Sequence, residues 1–290
     1  LLMLWLLLAV GTAMSEGTKD ALSKRGLQKF DEYTVAWALR FFSLVILLPL
    51  LLFIEIPKLD NMFWYALAFT VATNTITSIM YMKALKASPL SLTTPMLAFT
   101  PAFLLITSPI ILGEFPSSSG LFGVLLIVLG SYVLNITELR KGILQPLRAL
   151  AKEKGAMLML AIAFIWSFTA NFDKIAVQHS SPIFYVIIFN IVMSLIFSQI
   201  ILIKSKKNAK KVGKNVKYLM PIGIMSAIAL IMQMTALSLA LVSYVIAIKR
   251  TSSIFATIYG RVFFKEKYFK ERLTGIIIML SGVALISLFP

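Results

Sequence analysis

The 290-residue chain contains no cysteine and only one histidine, His179. It therefore has no disulfides, no thiolate chemistry and no cysteine-bound metal, and one histidine cannot build a multi-histidine site. Charged residues are also scarce, at 14% of the chain, whereas soluble domains average about 25%. Hydrophobic residues make up 59%, and the mean hydropathy is +0.89. This composition excludes a soluble globular enzyme, and we expect neither a cofactor nor a metal.

The apolar residues are gathered into ten runs, each long enough to cross a bilayer as a helix, which takes about 20 residues. Runs such as 121–134 are apolar on every face, so they do not show the alternation of membrane β-strands. The first run lacks a basic start and continues into a charged stretch, so we expect it to be a crossing and not a cleaved signal peptide. The sequence thus predicts an all-α integral membrane protein with crossings at 2–23, 33–54, 62–86, 90–113, 119–137, 155–176, 182–203, 217–239, 242–264 and 272–289.

The chain also contains an internal repeat. A shift of 152 residues places residues 80–85 on 232–237 and Glu114 on Glu266, and it places Gly123 and Gly130 on Gly275 and Gly282. We predict two five-helix repeats, at 1–140 and 155–290, joined by a basic loop at 141–154. Because five is an odd number, the second repeat must start on the opposite side of the membrane, so the two halves are inverted. Transporters built this way hold their substrate where the halves meet and expose it alternately to each side.

The residues of this repeat resemble a known family. A Glu closes the fourth and ninth crossings, a Gly follows about nine residues later, and a second Gly comes seven residues after that. This pattern is similar to the duplicated unit of EamA-like transporters in the drug/metabolite transporter superfamily, and Tyr81 and Arg40 also fit it. The resemblance covers nearly the whole chain. It implies a ten-helix basket with a central cavity that transports small metabolites such as amino acids.

The basic residues are distributed asymmetrically. Most of the 28 lysines and arginines follow the odd-numbered crossings, including seven lysines at 204–217. The positive-inside rule places these loops in the cytoplasm and both termini outside. The resemblance favours termini inside, but the charge asymmetry is large and we follow it. It also explains the net charge of +16 without nucleic acid, so the expected partners are the lipid bilayer and a small molecule.

Several charged side chains lie within the predicted crossings, where each costs roughly 2.5–3.5 kcal/mol and usually faces a partner or a wet cavity. Lys249 and Arg250 are adjacent in the ninth crossing. The superfamily's triose-phosphate translocators have a similar pair that binds phosphate, so the resemblance implies an anionic or carboxylate-bearing substrate. The alternatives for these two cations are snorkelling to the interface and ion pairing with Glu16.

The first crossing carries Glu16 and Asp20 four residues apart, with Lys19 beside them, so all three charges share one helix face. These carboxylates are candidates for proton coupling or for binding a substrate amine, and the alternative is an internal salt-bridge network. Arg40 in the second crossing is a candidate for substrate contact, and its alternative is structural pairing with Glu16 or Asp20.

Uncharged polar residues are concentrated in the third and sixth crossings, where they either line a pathway or hydrogen-bond the helices together. We select Asn74, Tyr81, Trp166 and Asn171 as candidates for substrate contact. Trp166 could form an aromatic wall of the cavity, and core packing is its alternative.

The sequence predicts a secondary transporter of a small polar metabolite, such as an amino acid or another carboxylate- or phosphate-bearing compound. It would act in the cytoplasmic membrane by alternating access, with proton coupling through Glu16 or Asp20. The chain lacks the phosphate-cradling GxxxxGK[ST] motif of ATP-driven pumps. A channel or a non-transporting scaffold is the main alternative. An intramembrane enzyme fits less well, because the chain has no cysteine, HExxH or GxSxG.

Overall fold

The computed structural model describes residues 3–88, 94–133, 154–264 and 273–288, and within these ranges the regular structure is entirely helical. Short 3-10 helices also occur at Leu48–Leu52, Thr94–Ala98 and Gly213–Asn215. The main helices are α1 Leu4–Leu27, α2 Glu32–Leu47, α3 Asn61–Ala87, α4 Phe99–Leu112, α5 Ser118–Val133, α6 Lys154–Gln178, α7 Pro182–Lys204, α8 Val216–Leu239, α9 Val242–Lys249, α10 Ser252–Phe264 and α11 Leu273–Leu288.

These helices follow the predicted crossings closely, with one correction. The ninth crossing is not a single helix over 242–264, because its α-helical bonding stops at Lys249 and resumes at Ser252. Between them the backbone makes hydrogen bonds that span three residues instead of four. The Thr251 N–H donates to the Ile248 carbonyl at 3.0 Å, and the Ser253 N–H donates to the Arg250 carbonyl at 3.1 Å. The predicted connecting loop at 141–154 lies outside the described residues except for Lys154, which begins α6.

The molecule has an extensively apolar exterior, and its interior contains buried polar side chains within an apolar core. Large apolar side chains such as Ile110, Leu195 and Ile203 are 62–78% exposed, whereas soluble proteins rarely expose extended apolar surface. Four helical stretches in the described ranges are both long and apolar enough to cross a membrane. Helices α1 and α3, of 24 and 27 residues, are about 36 and 40 Å long and also exceed the roughly 30 Å hydrocarbon core. The fold is that of a helical integral membrane protein.

Helix packing in the first half of the chain is mirrored in the second. The long helix α3 packs along α6, and α1 packs along α8. In the sequence repeat, α1 corresponds to α6 and α3 corresponds to α8. The contact between α3 and α6 is therefore equivalent to the contact between α8 and α1. Helix α5 packs against its own counterpart, α11. The two halves are therefore interleaved rather than laid side by side.

The repeated glycines lie at the contact between α5 and α11. A Cβ atom on Gly123 would lie 2.9 Å from the Gly282 carbonyl oxygen, and one on Gly282 would lie 2.6 Å from the Gly123 oxygen. A Cβ on Gly130 would lie 2.7 Å from the Gly275 oxygen. Such distances leave no room for a side chain, so the glycines allow the two backbones to touch.

The glutamate of the repeat motif connects the two halves. Helix α4 ends at Gly113, whose φ of 68° turns the chain, and Glu114 follows. One carboxylate oxygen of Glu114 binds the Lys174 ammonium group, and the other accepts a hydrogen bond from the Val242 N–H at 2.9 Å. Lys174 also donates to the Ala240 carbonyl at 2.8 Å. Glu114 thus holds α6 and the start of α9, while its repeat counterpart Glu266 lies outside the described residues.

The lysine-rich segment after α7 is anchored by Asp31. Partial burial opposes ionisation of this carboxyl, but hydrogen bonds from Ser205, Thr34 and Asn208 outweigh it and hold the pKa of Asp31 below its usual value. All seven lysines of residues 204–217 are exposed. The segment is therefore fixed at its base, and its charges face outward.

Substituting Gly123 with Ala should destabilise the protein by about 1–3 kcal/mol, because the added methyl group overpacks the contact between α5 and α11. Thermal unfolding in detergent measures this effect. Gly213 is the matched control, because a Cβ there has no atom within 4 Å, and Gly213→Ala should leave the melting temperature unchanged. Equal melting temperatures for the two variants would contradict the assignment of this contact.

Candidate functional site

A cavity of about 90 Å³ lies between the two halves of the chain. A single water needs roughly 10–15 Å³, so the cavity has room for several waters or a small polar group. The first half contributes residues from α1, α2 and α3, and the second half contributes residues from α6 to α9. The polar and aromatic side chains of its wall are Glu16, Lys19, Arg40, Asn74, Ser78, Tyr81, Trp166, Thr169, Asp173, Phe189, Ser226, Gln233, Lys249 and Arg250.

Lys249 and Arg250 enter the cavity at the interruption between α9 and α10, and each meets a different environment. The Lys249 ammonium group donates to the Gln233 amide oxygen at 2.5 Å and lies 3.2 Å from a Glu16 oxygen. The Arg250 guanidinium group lies 5.3 Å from the centre of the Trp166 ring. Its buried Nε has no hydrogen-bond partner. Lys249 therefore both lines the cavity and pairs with Glu16, the two roles that the sequence left open.

The local sequence makes the interruption tolerable. Thr251 donates its hydroxyl to the Ile248 carbonyl at 2.7 Å, and Ser253 donates to the Arg250 carbonyl at 3.0 Å. Hydroxyl groups commonly satisfy the backbone where a membrane helix is broken. On the facing helix, Gly17 lets α1 come close, since a Cβ there would lie 3.0 Å from the Ser252 carbonyl oxygen. This close approach brings Glu16 within reach of Lys249.

Arg40 is the third cation of interest, and it forms no ion pair with a carboxylate in the described part of the chain. It donates to the Ser78 hydroxyl at 3.1 Å and lies 5.0 Å from the centre of the Phe189 ring. Its Nε is buried and has no hydrogen-bond partner. The structural pairing of Arg40 with Glu16 or Asp20 is not formed, as no ion pair joins it to either residue. Arg40 therefore presents an unused donor beside the cavity.

The carboxyl groups around the cavity differ in their partners. Glu16 binds the ammonium groups of both Lys19 and Lys249. Asp20 is not part of the cavity wall; it accepts a hydrogen bond from the Tyr81 hydroxyl at 2.6 Å and lies 3.7 Å from Lys19. The three charges of α1 thus form the internal network that the sequence offered as an alternative.

Asp173 faces the cavity from α6 and was not among the residues selected from the sequence. Its carboxyl group accepts a hydrogen bond from Tyr185 on α7 at 2.5 Å. Tyr185 stands in an apolar run whose pattern gives no hint of a polar role, so the pair emerges only once α6 and α7 are folded together. Gln233, the partner of Lys249, was also not selected as a site residue, although it lies in the repeated segment at 232–237.

The uncharged candidates divide into two groups. Asn74, Tyr81 and Trp166 line the cavity, and the Trp166 indole donates to Thr77 at 3.1 Å. Asn171 lies elsewhere, fully buried between α4 and α6, where it bonds to Ser108, Thr107 and the Ser167 carbonyl. The structure therefore gives Asn171 a helix-joining position instead of a place in the cavity wall.

Glu16→Gln should destabilise the protein by about 3–5 kcal/mol, because it leaves Lys249 buried without a carboxylate. Lys249→Met should cost less, since Glu16 keeps Lys19. Unfolding of the purified protein in bicelles measures both effects. The control is Glu55→Gln, which alters an exposed carboxylate and should have little effect. A larger cost for Lys249→Met than for Glu16→Gln would contradict this electrostatic account.

Comparison with known proteins identifies the fold and its relatives. A family model described as the EamA-like transporter family matches residues 3–136 and 153–288, one match for each half. A protein named as an uncharacterized transporter from Archaeoglobus fulgidus is 22% identical over 296 residues, which cover 99% of each chain. A solved crystal structure superposes with a TM-score of 0.72 at 14% identity, covering 98% of this chain and 97% of the other.

Proposed function

The chain belongs to the EamA-like transporter family, and from this premise we propose that it is a secondary transporter of small anionic metabolites. The substrate class is a small polar compound bearing a carboxylate or phosphate, with amino acids included. One observation carries the proposal: a polar cavity between the two halves is lined by more cations than carboxylates. Four cationic side chains and two carboxyl groups face it, the cations being Lys19, Arg40, Lys249 and Arg250.

The unused donors of the cavity indicate where an anion binds. Two of these cations are already occupied, because Lys19 and Lys249 hold Glu16. Arg40 and Arg250 instead retain buried Nε groups without partners, and an unsatisfied buried donor is costly. Planar guanidinium groups match carboxylate and phosphate oxygens in geometry. Both residues line the same cavity, and we propose that the anionic group of the substrate binds to these donors.

The aromatic side chains restrict the rest of the substrate. Trp166 lies beneath Arg250 and Phe189 beneath Arg40, and both rings belong to the cavity wall. They hold the guanidinium groups in place and offer apolar surface to the part of the substrate that carries no charge. A compound with an anionic group on a short organic body fits this combination.

The packing of the halves supports alternating access. We propose that the chain crosses the membrane ten times and that its halves are inverted repeats, since five crossings reverse the start of the second half. The exchange of the α3–α6 and α1–α8 pairs supports this arrangement, as does the position of the break between α9 and α10. Inverted-repeat transporters place broken helices beside the substrate at the interface of the repeats.

Arg250→Gln should weaken anion binding roughly 10–100-fold, because a hydrogen bond to a charged group contributes about 1.5–3 kcal/mol. A thermal-shift screen with amino acids, sugar phosphates and nucleotide sugars identifies the ligand, and counterflow in liposomes then measures its transport. The control is Lys58→Gln, which removes an exposed cation far from the cavity. Stabilisation by neutral or cationic compounds alone, unaffected by Arg250→Gln, would refute the anion proposal. Flux without counterflow would indicate a channel.

We further propose that the lysine-rich connections face the cytoplasm and that both termini face outward, according to the positive-inside rule. Because the chain contains no cysteine, single cysteines can report on each side. Lys58→Cys should react with a membrane-impermeant maleimide in intact cells, and Lys207→Cys should react only after permeabilisation. The reverse pattern would place the termini inside. Both lysines are exposed, so their accessibility to solvent is matched.

A further inference from the structure

The carboxyl groups at the cavity differ in whether an ammonium group neutralises them. Glu16 contacts two lysines, and Asp20 has Lys19 at 3.7 Å. Asp173 is also buried, at 8% exposure, but no ion pair joins it to any residue that the structure describes. Removing an isolated carboxylate from water is costly, and such a group binds a proton instead.

The hydroxyl groups beside Asp173 can serve both of its protonation states. Tyr185 is close to two acceptors, the Asp173 oxygen at 2.5 Å and the Thr70 hydroxyl at 3.1 Å. Thr70 in turn lies 3.0 Å from the Leu67 carbonyl. Tyr185 has a single hydroxyl proton, so it cannot donate to Asp173 and Thr70 at the same time.

The hydroxyl protons can be arranged in two ways, one for each protonation state of Asp173. With Asp173 protonated, the acid donates to Tyr185, Tyr185 donates to Thr70, and Thr70 donates to the Leu67 carbonyl. With Asp173 ionised, every hydroxyl turns round, so that Thr70 donates to Tyr185 and Tyr185 donates to Asp173. Neither state requires a heavy atom to move. No such chain extends from Asp20, whose partner Tyr81 has no second hydroxyl partner in the described part of the molecule.

We propose that Asp173, with its Tyr185–Thr70 relay, is the group that binds and releases the coupling proton of this transporter. This deepens the proposed function and rests on it. It also transfers the role from Glu16 and Asp20, the carboxylates selected from the sequence, because each of them already has a lysine ammonium group within 4 Å. The proton passes between water in the cavity and an Asp173 oxygen, and no covalent bond other than the O–H bond changes.

The charges around Asp173 connect its protonation to the occupancy of the cavity. Arg40 of α2 and Lys249 of α9 face it across the cavity, Tyr185 of α7 contacts it, and α3 contributes the neutral Thr70. Both cations stabilise ionised Asp173. Lys249 is already held by Glu16, so Arg40, whose Nε has no hydrogen-bond partner among the described residues, is the one available to a bound anion. An anion bound to Arg40 reduces that stabilisation and favours proton uptake, so that the anion and the proton move together.

Infrared spectroscopy of the purified protein in nanodiscs tests this proposal without a substrate. A protonated buried carboxyl gives a separate C=O stretching band. We expect this band in the wild type in acidic buffer, its loss on alkaline titration, and its absence in Asp173→Asn. It should remain in Glu16→Gln and Asp20→Asn. A band that is missing at every pH, or that persists in Asp173→Asn, would overturn the assignment.

Three further variants test the relay and the coupling. Tyr185→Phe should shift the band, because it removes the hydroxyl that contacts Asp173, whereas the matched variant Tyr81→Phe should not. Arg40→Gln imitates neutralisation by an anion, so the band should persist to more alkaline buffer than in the wild type. An unchanged or earlier loss in Arg40→Gln would overturn the coupling. Because no assay here depends on transport, failure of the Asp173 assignment is distinguishable from failure of the proposed transport in liposomes.

Discussion

The architecture of the cavity depends on one bridge, the carboxylate of Glu16 between the ammonium groups of Lys19 and Lys249. A buried charge without a partner would cost several kcal/mol, so this carboxylate is what allows two lysines to be buried at the contact between the halves. The bridge joins α1 to α9 across that contact, and Gly17 provides the close approach that it requires. With both lysines occupied, Arg40 and Arg250 are the cavity cations whose Nε groups have no hydrogen-bond partner among the described residues, and the proposed binding of an anion rests on these two donors.

The sequence was a reliable guide wherever the bilayer imposes the pattern. Apolar runs of about 20 residues have to be helical in lipid, so most of the described helices begin and end within a few residues of the predicted crossings. The exceptions are α2, which gives way to a 3-10 helix at Leu48, α4, which begins only at Phe99, and the broken ninth crossing. The glycines matched by the 152-residue shift lie where the backbones of α5 and α11 touch, and the family model matches each half of the chain separately. The resemblance to EamA-like transporters is confirmed by the match to that family model.

The sequence was a poor guide wherever the choice depends on how helices face one another. Asn74 and Asn171 looked equivalent, yet one lines the cavity and the other joins α4 to α6. Helices that are apolar on nearly every face carry no periodic signal to separate the two cases. The break after Lys249 was also missed, because no proline or glycine marks it. The corresponding stretch of the first half contains Pro95 and Pro101, so a kink there was predictable.

The two halves each match the same family model, but their charged residues differ. Lys249 and Arg250 correspond to Leu97 and Ala98, Arg40 to Asn190, and Asp173 to Ser23. A backbone shared by both halves gives each of them the same way to pack and to move. A binding site at their contact, however, has to accept one substrate in one orientation, and a site with twofold symmetric charges would present the same group from both sides. Lys249, Arg250 and Asp173 have no charged counterpart in the first half, and Arg40 has none in the second, so the cavity between the halves carries the uneven set of charges on which the proposed anion and proton sites rest.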